Sequence, residues 1–265
     1  MRPPVPFGQF VPGDSAVHRL EARAKLGLAA AFTAMLFMVG GFAGLGISSL
    51  FVLVAVAVSG VPVRLVLRGV RVVAFILVFT LLAHSLRIEP ATVALVRVGP
   101  LAIDPEGLVT GSFFAVRIVL LVVGTSLITL TTSPVRLADG LEHLMSPLQR
   151  VGFPAGDVAM MLTVALRFIP TTAEEAEKII LAQTARGARF DRRGPIARGR
   201  AYVPVLVPLF VSLFRRADEL ATAMESRCYR GGTGRTRLHE SRFAATDWLT
   251  LLAGVGLMLT VGVLL

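Results

Sequence analysis

Residues 26–58 form a 33-residue stretch without a single charged side chain, and no other feature limits the possible folds as strongly. As one helix the stretch would be about 50 Å long at about 1.5 Å per residue. A bilayer hydrocarbon core is only about 30 Å thick. Gly40, Gly41, Gly44 and Gly46 fall in the middle of the run, where each costs a helix about 1 kcal/mol relative to alanine. The stretch therefore reads as two short, tightly joined spans, about 22–40 and 43–59. Arg23 and Lys25 can snorkel to lengthen the first. One long tilted helix is the alternative.

Further apolar segments place a third span at about 70–86, a fourth at about 111–131 and a last at about 247–265, with Trp248 as an interfacial anchor. Arg64, Arg68 and Arg71 recur at helical spacing in the segment before the third span, so they share one face of a short interfacial helix. Residues 87–110, with Pro90, Pro100 and Pro105, read as an external loop of limited order. Arg117, near the start of the fourth span, is expected beside a headgroup or a protein partner.

The rest of the composition agrees. The chain of 265 residues is 54% apolar and 17% charged, below the roughly 25% charge of a soluble domain. Its net charge of +10 fits nucleic acid poorly, because the basic residues lie between and beside apolar spans. With five spans and a cytoplasmic N-terminus, 24 of the 27 lysines and arginines fall on the inner side, as the positive-inside rule requires. If 26–58 were one helix, the Arg64 group and the basic segment 132–242 would move outside while the basic N-terminal segment stayed in. The expected fold is therefore an all-α polytopic membrane protein. It has about five transmembrane helices (range four to six) and a large cytoplasmic helical region. Its parts are a cytoplasmic segment 1–21, four spans within 22–131 joined by a basic inner loop at 60–70, cytoplasmic helices within 132–242, and a final span at 247–265.

The segment 132–242 is too long and too well punctuated for an ordinary loop. Ser133-Pro134 is an N-cap followed by proline at the first helical position. The helix it opens carries Leu137, Leu141, Leu144 and Leu148 as an apolar stripe and is expected to reach about Arg150. A second unit begins near 155–157, is kinked or divided at Pro170, and ends at Arg186-Gly187, where a cation and a cap glycine both belong. A third follows a basic linker at 189–200, is interrupted by Pro204 and Pro208, and ends near Arg227. Two long helices, apolar first and charged last, each finish at an exposed arginine. On the residues alone, this is either a shared docking device or the common preference for cations at cytoplasmic helix ends.

Several chemistries lack their residues. There is no GxxxxGK[ST] phosphate cradle. Cys228 is the only cysteine, and His18, His84, His143 and His239 have no ligand spacing. His84, Asp104, Glu106, Glu142 and His143 are scattered candidates for a membrane enzyme, and a self-contained secondary transporter would need repeats and a midplane site that are not visible.

Five segments in order carry a family likeness: HRLEARAKL (18–26), TTSPVRLADGLEHLMSPLQRVGFP (131–154), ALRFIPTTAEEAEKIILAQTARG (165–187), VPLFVSLFRRADELATAMESRCYRGG (207–232) and RTRLHE (235–240). The chain resembles the transmembrane T subunit of energy-coupling factor transporters, a family that includes the cobalt and biotin transporter T components. Where that family has an Asp-Pro-Arg core, this sequence has Glu21-Ala22-Arg23. The resemblance implies a non-enzymatic coupling subunit of an ATP-driven importer of a vitamin or transition-metal ion, multi-pass in a bacterial or archaeal cytoplasmic membrane. It implies two ATP-binding cassette ATPase subunits, identical or related, and a small membrane-embedded S component that binds substrate. ATP and Mg2+ would sit on the ATPases, and this chain would bind no cofactor. Two Ala-Arg-Gly-like motifs would dock the ATPases: Ala185-Arg186-Gly187, which is intact, and Ser226-Arg227-Cys228, which keeps only the arginine.

Overall fold

A computed structural model describes residues 10–87, 96–98, 101–190, 194–231 and 243–264. The chain forms two compact units, one of residues 1–140 with 240–265 and one of residues 141–239.

In the first unit the apolar run breaks where glycines adjoin. Helix α1 (Ala16–Arg19) is short, with Ser15 as its N-cap. Helix α2 (Ala22–Met38) ends at an extended Val39, and α3 (Phe42–Ser59) begins after an extended Gly41. Gly60, at φ +67°, then takes the left-handed turn that closes α3. The amphipathic α4 (Val63–Val72) exposes Arg64, Arg68 and Arg71 and buries Val66. It meets α5 (Ala74–Ser85) at a 53° bend.

Part of the segment expected to be a loop is ordered. Strands β1 (Leu86–Arg87), β2 (Val96–Val98) and β3 (Leu101–Ile103) form an antiparallel sheet in the order β1-β3-β2, with Leu86 opposite Ile103 and Val98 opposite Leu101. β-Branched residues on both sides of Gly99-Pro100 are a hairpin signal. Pro90 lies outside the described residues. Helix α6 (Pro105–Thr131) starts six residues before the expected Gly111, because Asp104 caps the Glu106 amide at 3.1 Å and Pro105 takes the first helical position.

Small residues set the helix spacing in this unit. A Cβ on Gly107 would lie 2.1 Å from the His84 carbonyl oxygen, and one on Gly111 would lie 3.2 Å from that of Leu81. This four-residue pair of glycines lets α6 press against the backbone of α5. Helix α10 (Ala245–Leu264) packs on α2 in the same way, with Gly254 against Leu28 and Gly27 against Leu251. The core between α2, α3, α6 and α10 contains Phe32, Leu36, Leu45, Leu120 and Met258. Buried polar groups tie the helix ends. Lys25 Nζ donates to the Thr131 carbonyl at 3.1 Å and to Thr132 Oγ1 at 2.9 Å. Asp247 accepts from the amides of Glu21 and Ala244.

Helix α7 (Pro134–Met145) has the expected cap, the Arg136 amide donating to Ser133 Oγ at 3.4 Å. It stops before Arg150, continuing as a 3-10 turn at Ser146–Val151. Pro147 accounts for this: it has no N–H for a fourth-residue bond, and it disfavours α geometry at Ser146.

The second unit is built on two long helices, α8 (Ala155–Ala185) and α9 (Pro195–Ser226). Both run unbroken through their prolines. Pro170 does not divide α8, and Pro204 and Pro208 lie inside α9, whose first turns use part of the expected linker. The carbonyl that Pro208 leaves without its usual partner belongs to Pro204, and Gln183 Nε2 donates to it from α8 at 3.4 Å.

By length and composition α3, α6, α9 and α10 can each cross a membrane, and the bent α4–α5 pair makes a fifth. At 17 residues, α2 is slightly shorter. The protein is all-α apart from the small sheet, multi-pass, and carries a further helical region.

Candidate docking site

The Ala185-Arg186-Gly187 and Ser226-Arg227-Cys228 segments end α8 and α9 with the same backbone. Arg186 is the C-cap of α8, at φ −83° and ψ 6°. The Gly187 amide donates to the Thr184 carbonyl at 2.9 Å and the Ala188 amide to that of Gln183 at 2.9 Å. Arg227 is the C-cap of α9, at φ −93° and ψ 13°. The Cys228 amide donates to the Glu225 carbonyl at 2.9 Å and the Tyr229 amide to that of Met224 at 3.0 Å. Each pair of bonds is a Schellman motif, which satisfies two of the four carbonyls a helix leaves open.

Gly187, at φ +88°, and Cys228, at φ 58°, hold the left-handed position of the motif. Cys228 is the only non-glycine residue at positive φ among the described residues. The departure from Ala-Arg-Gly in the second segment therefore leaves the cap geometry intact. Arg186, Arg227 and Cys228 are all exposed.

The polar contacts between α8 and α9 have an antiparallel register. Gln183 meets Pro204, Glu175 meets Ser212, and Thr171 meets Arg216. Arg216 Nη1 donates to Thr171 Oγ1 at 2.9 Å and Nη2 pairs with Glu175 Oε2 at 3.1 Å, while Ser212 Oγ donates to Glu175 Oε1. The Arg216 guanidinium also lies 5.6 Å from the centre of the Phe168 ring. Continued along both helices, this register would put Arg186 level with Ala201 and Arg227 with Met160, and the antiparallel course sends the two caps to opposite ends of the pair. About 26 residues of helix separate them, roughly 40 Å of rise at about 1.5 Å per residue. Sequence reasoning missed the Glu175–Arg216 group. In the sequence Glu174 and Lys178, four residues apart, have the spacing of a within-helix pair, and only the register shows which charges face the other helix.

Of the scattered polar residues, His84 and Asp104 have structural uses. His84 Nδ1 donates to the Thr80 carbonyl of its own helix at 2.9 Å, and its ring lies 5.1 Å from that of Phe114. Asp104 caps α6, and Glu106 stands in the first turn of that helix. Glu142 and His143 adjoin on α7. Among the described residues no group of three His, Cys, Asp or Glu side chains could hold a metal. Arg117 contacts the turn between α2 and α3. With α6 starting at Pro105, it lies well inside the helix, where Nη2 donates to the Val39 carbonyl at 2.5 Å and the guanidinium stacks 4.7 Å from the Phe113 centroid.

The family model described as "Cobalt transport protein" (CbiQ) matches residues 13–238. Several curated proteins are similar over nearly their whole length. The energy-coupling factor transporter transmembrane protein EcfT of Thermanaerovibrio acidaminovorans is 49% identical over 250 residues, covering 93% of this chain and 91% of the relative. The EcfT of Thermosediminibacter oceani is 45% identical, covering 94% of this chain and 93% of the relative. That of Heliobacterium modesticaldum is 45% identical, covering 97% and 96%. With the family model spanning both units and both arginine caps, and relatives at this identity end to end, the chain belongs to the EcfT family of transmembrane coupling subunits of energy-coupling factor transporters.

Proposed function

We propose that this chain is the scaffold through which two ATP-binding cassette ATPase subunits act on a small membrane-embedded S component, and that Arg186 and Arg227 are its two docking points. The observation that carries the proposal is the pair of equivalent caps, each presenting an exposed arginine, at opposite ends of one antiparallel helix pair. An ATPase dimer has two equivalent surfaces, and a single asymmetric chain can meet both only with two similar ends. The guanidinium is a rigid fork that suits a carboxylate or the carbonyls of a helix end on the partner. Ala185 and Gly187 on one side, and Ser226 and Cys228 on the other, are small enough to let the partner approach the backbone.

In this reading α2, α3, the bent α4–α5 pair, α6 and α10 cross the membrane, with the N-terminus inside, and α8 and α9 are coupling helices. The charges of α9 favour that role over a span: Arg215, Arg216, Asp218, Glu219 and Glu225 crowd its second half. From its first half to just past its middle it exposes Val203, Val207, Phe210 and Phe214, an apolar face suited to the S component. ATP and Mg2+ belong to the ATPases. The S component selects the vitamin or metal ion, so the substrate is not written in this chain.

The test is copurification. Arg186→Ala and Arg227→Ala should each weaken ATPase retention by about thirtyfold, as for an interface anchor worth about 2 kcal/mol. The double variant should lose both ATPases while keeping its membrane fold. A double variant that retains both ATPases and transports normally would refute the docking assignment.

A further inference from the structure

Adding 41 to a residue number on α8 gives a counterpart on α9. Arg186 becomes Arg227, Gly187 becomes Cys228, Thr171 becomes Ser212 and Glu175 becomes Arg216. Ala176 and Ala217, Glu177 and Asp218, and Ala182 and Ala223 also correspond. The contacts obey the same relation. Ser212 on α9 bonds Glu175 on α8, Thr171 on α8 bonds Arg216 on α9, and the Glu175–Arg216 ion pair maps onto itself. The four side chains therefore form a cluster with an approximate twofold axis between the helices.

The cluster also sits midway between the caps. From its centre on α8 to Arg186 is about 13 residues, and from its centre on α9 to Arg227 is the same, roughly 20 Å of rise on each side at about 1.5 Å per residue. Two arms of equal length leave one polar joint. The joint is half-exposed, with Arg216 at 32% and Glu175 at 26% of full side-chain exposure. It also crosses between helices, so it fixes register where apolar packing alone permits sliding.

We infer that Glu175 and Arg216, seated by Ser212 and Thr171, are positioning residues that pin α8 to α9 at the midpoint between the docking arginines, so that movement of either ATPase reaches the same point of the chain. This rests on the docking role proposed for Arg186 and Arg227. The twofold relation gives it an unusual consequence. A hydroxyl both donates and accepts, so Ser212 can accept from an arginine at 175 and Thr171 can donate to a carboxylate at 216. Exchanging the two charges should therefore rebuild the joint.

The experiment uses the intact complex purified with its ATPases and S component. It compares Glu175→Arg, Arg216→Glu and the double exchange for retained ATPase and for substrate transported per ATP hydrolysed. Each single reversal places like charges together and should lower transport per ATP at least about fivefold, in line with couplings between contacting residues. The double exchange should recover to within about twofold of wild type, short of full recovery because the Phe168 stacking is lost. Single reversals that couple like wild type, or a double exchange no better than the singles, would overturn the inference. A reversal that also fails to assemble is judged by the same comparison, because the double exchange must then restore assembly. Failure of the docking reading shows separately, as ATPase retention by the Arg186→Ala, Arg227→Ala chain.

Discussion

Replacing Arg117 tests how the paired short helices end inside the molecule. Val39 is the C-cap of α2, its amide donating to the Met35 carbonyl, and its own carbonyl is left open by the extended turn before α3, while Val39 itself is 1% exposed. Arg117 Nη2 supplies its hydrogen bond at 2.5 Å, and the guanidinium rests on Phe113 at 4.7 Å and Phe114 at 5.4 Å. Arg117→Met keeps the apolar stem and removes the donor. Losing a hydrogen bond from a charged group and stranding a buried carbonyl costs about 1.5–3 kcal/mol, and the ring stacking adds about 0.5–2 kcal/mol. Against this stands the relief of desolvating a cation, which can offset a kcal/mol or more. The carbonyl decides the sign, because among the described residues no other group is bonded to it and the turn cannot move away from α6 without opening the core. The net expectation is a loss of about 2–3 kcal/mol, a drop in melting temperature of about 4–12 °C at roughly 2–4 °C per kcal/mol. Thermal melting in detergent measures it. Arg117→Lys should fall between, since an ammonium offers a donor but no planar face for the rings. A methionine variant as stable as wild type, or more stable, would show that the buried cation costs more than its bonds return.

The remaining predictions concern glycines and caps. Gly107→Ala should destabilise by about 2 kcal/mol or more, since its Cβ meets the His84 carbonyl at 2.1 Å. Gly256→Ala on α10, where nothing lies within 4 Å, should be neutral or stabilise by up to about 1 kcal/mol; thermal melts of the two variants should move apart. At the C-caps of α8 and α9, Gly187→Ala forces a side chain into the left-handed region and should cost about 1–2 kcal/mol, reducing hydrogen-exchange protection of the Ala188 amide about tenfold. Cys228→Gly should act in the opposite direction on the Tyr229 amide, by a few-fold at most, because glycine's greater backbone freedom offsets part of the relief.

Local signals were legible wherever one residue decides one backbone group. The glycines that divide the 26–58 run and the Ser133 cap belong to this kind. Asp104-Pro105 is the same signal as Ser133-Pro134 and could have moved the start of α6 from the sequence alone. Prolines were less legible because their effect depends on what satisfies the freed carbonyl. Gln183 does so for Pro204 from another helix, and nothing local announces it. The intramolecular partner of Arg117 is hidden for a related reason: nothing around position 117 announces that the open end of α2 lies beside it. The Glu175–Arg216 pair needed the register of two helices, which a one-dimensional pattern does not contain.

The cap of α9 shows why residue identity and backbone shape should be weighed separately. Judged by its letters, Ser226-Arg227-Cys228 has lost two of three residues of the motif. Judged by its hydrogen bonds, it is the same cap as Ala185-Arg186-Gly187, with cysteine accepting a conformation that glycine takes freely. The direction in which each arginine leaves its helix is set by the C-cap dihedrals, which differ between the two by about 10°. A strain of about 1–2 kcal/mol at Cys228 is small beside the cost of losing the cap, so the shape tolerates the substitution. The two caps can therefore diverge in their flanking residues while both present the same guanidinium fork from the same backbone turn.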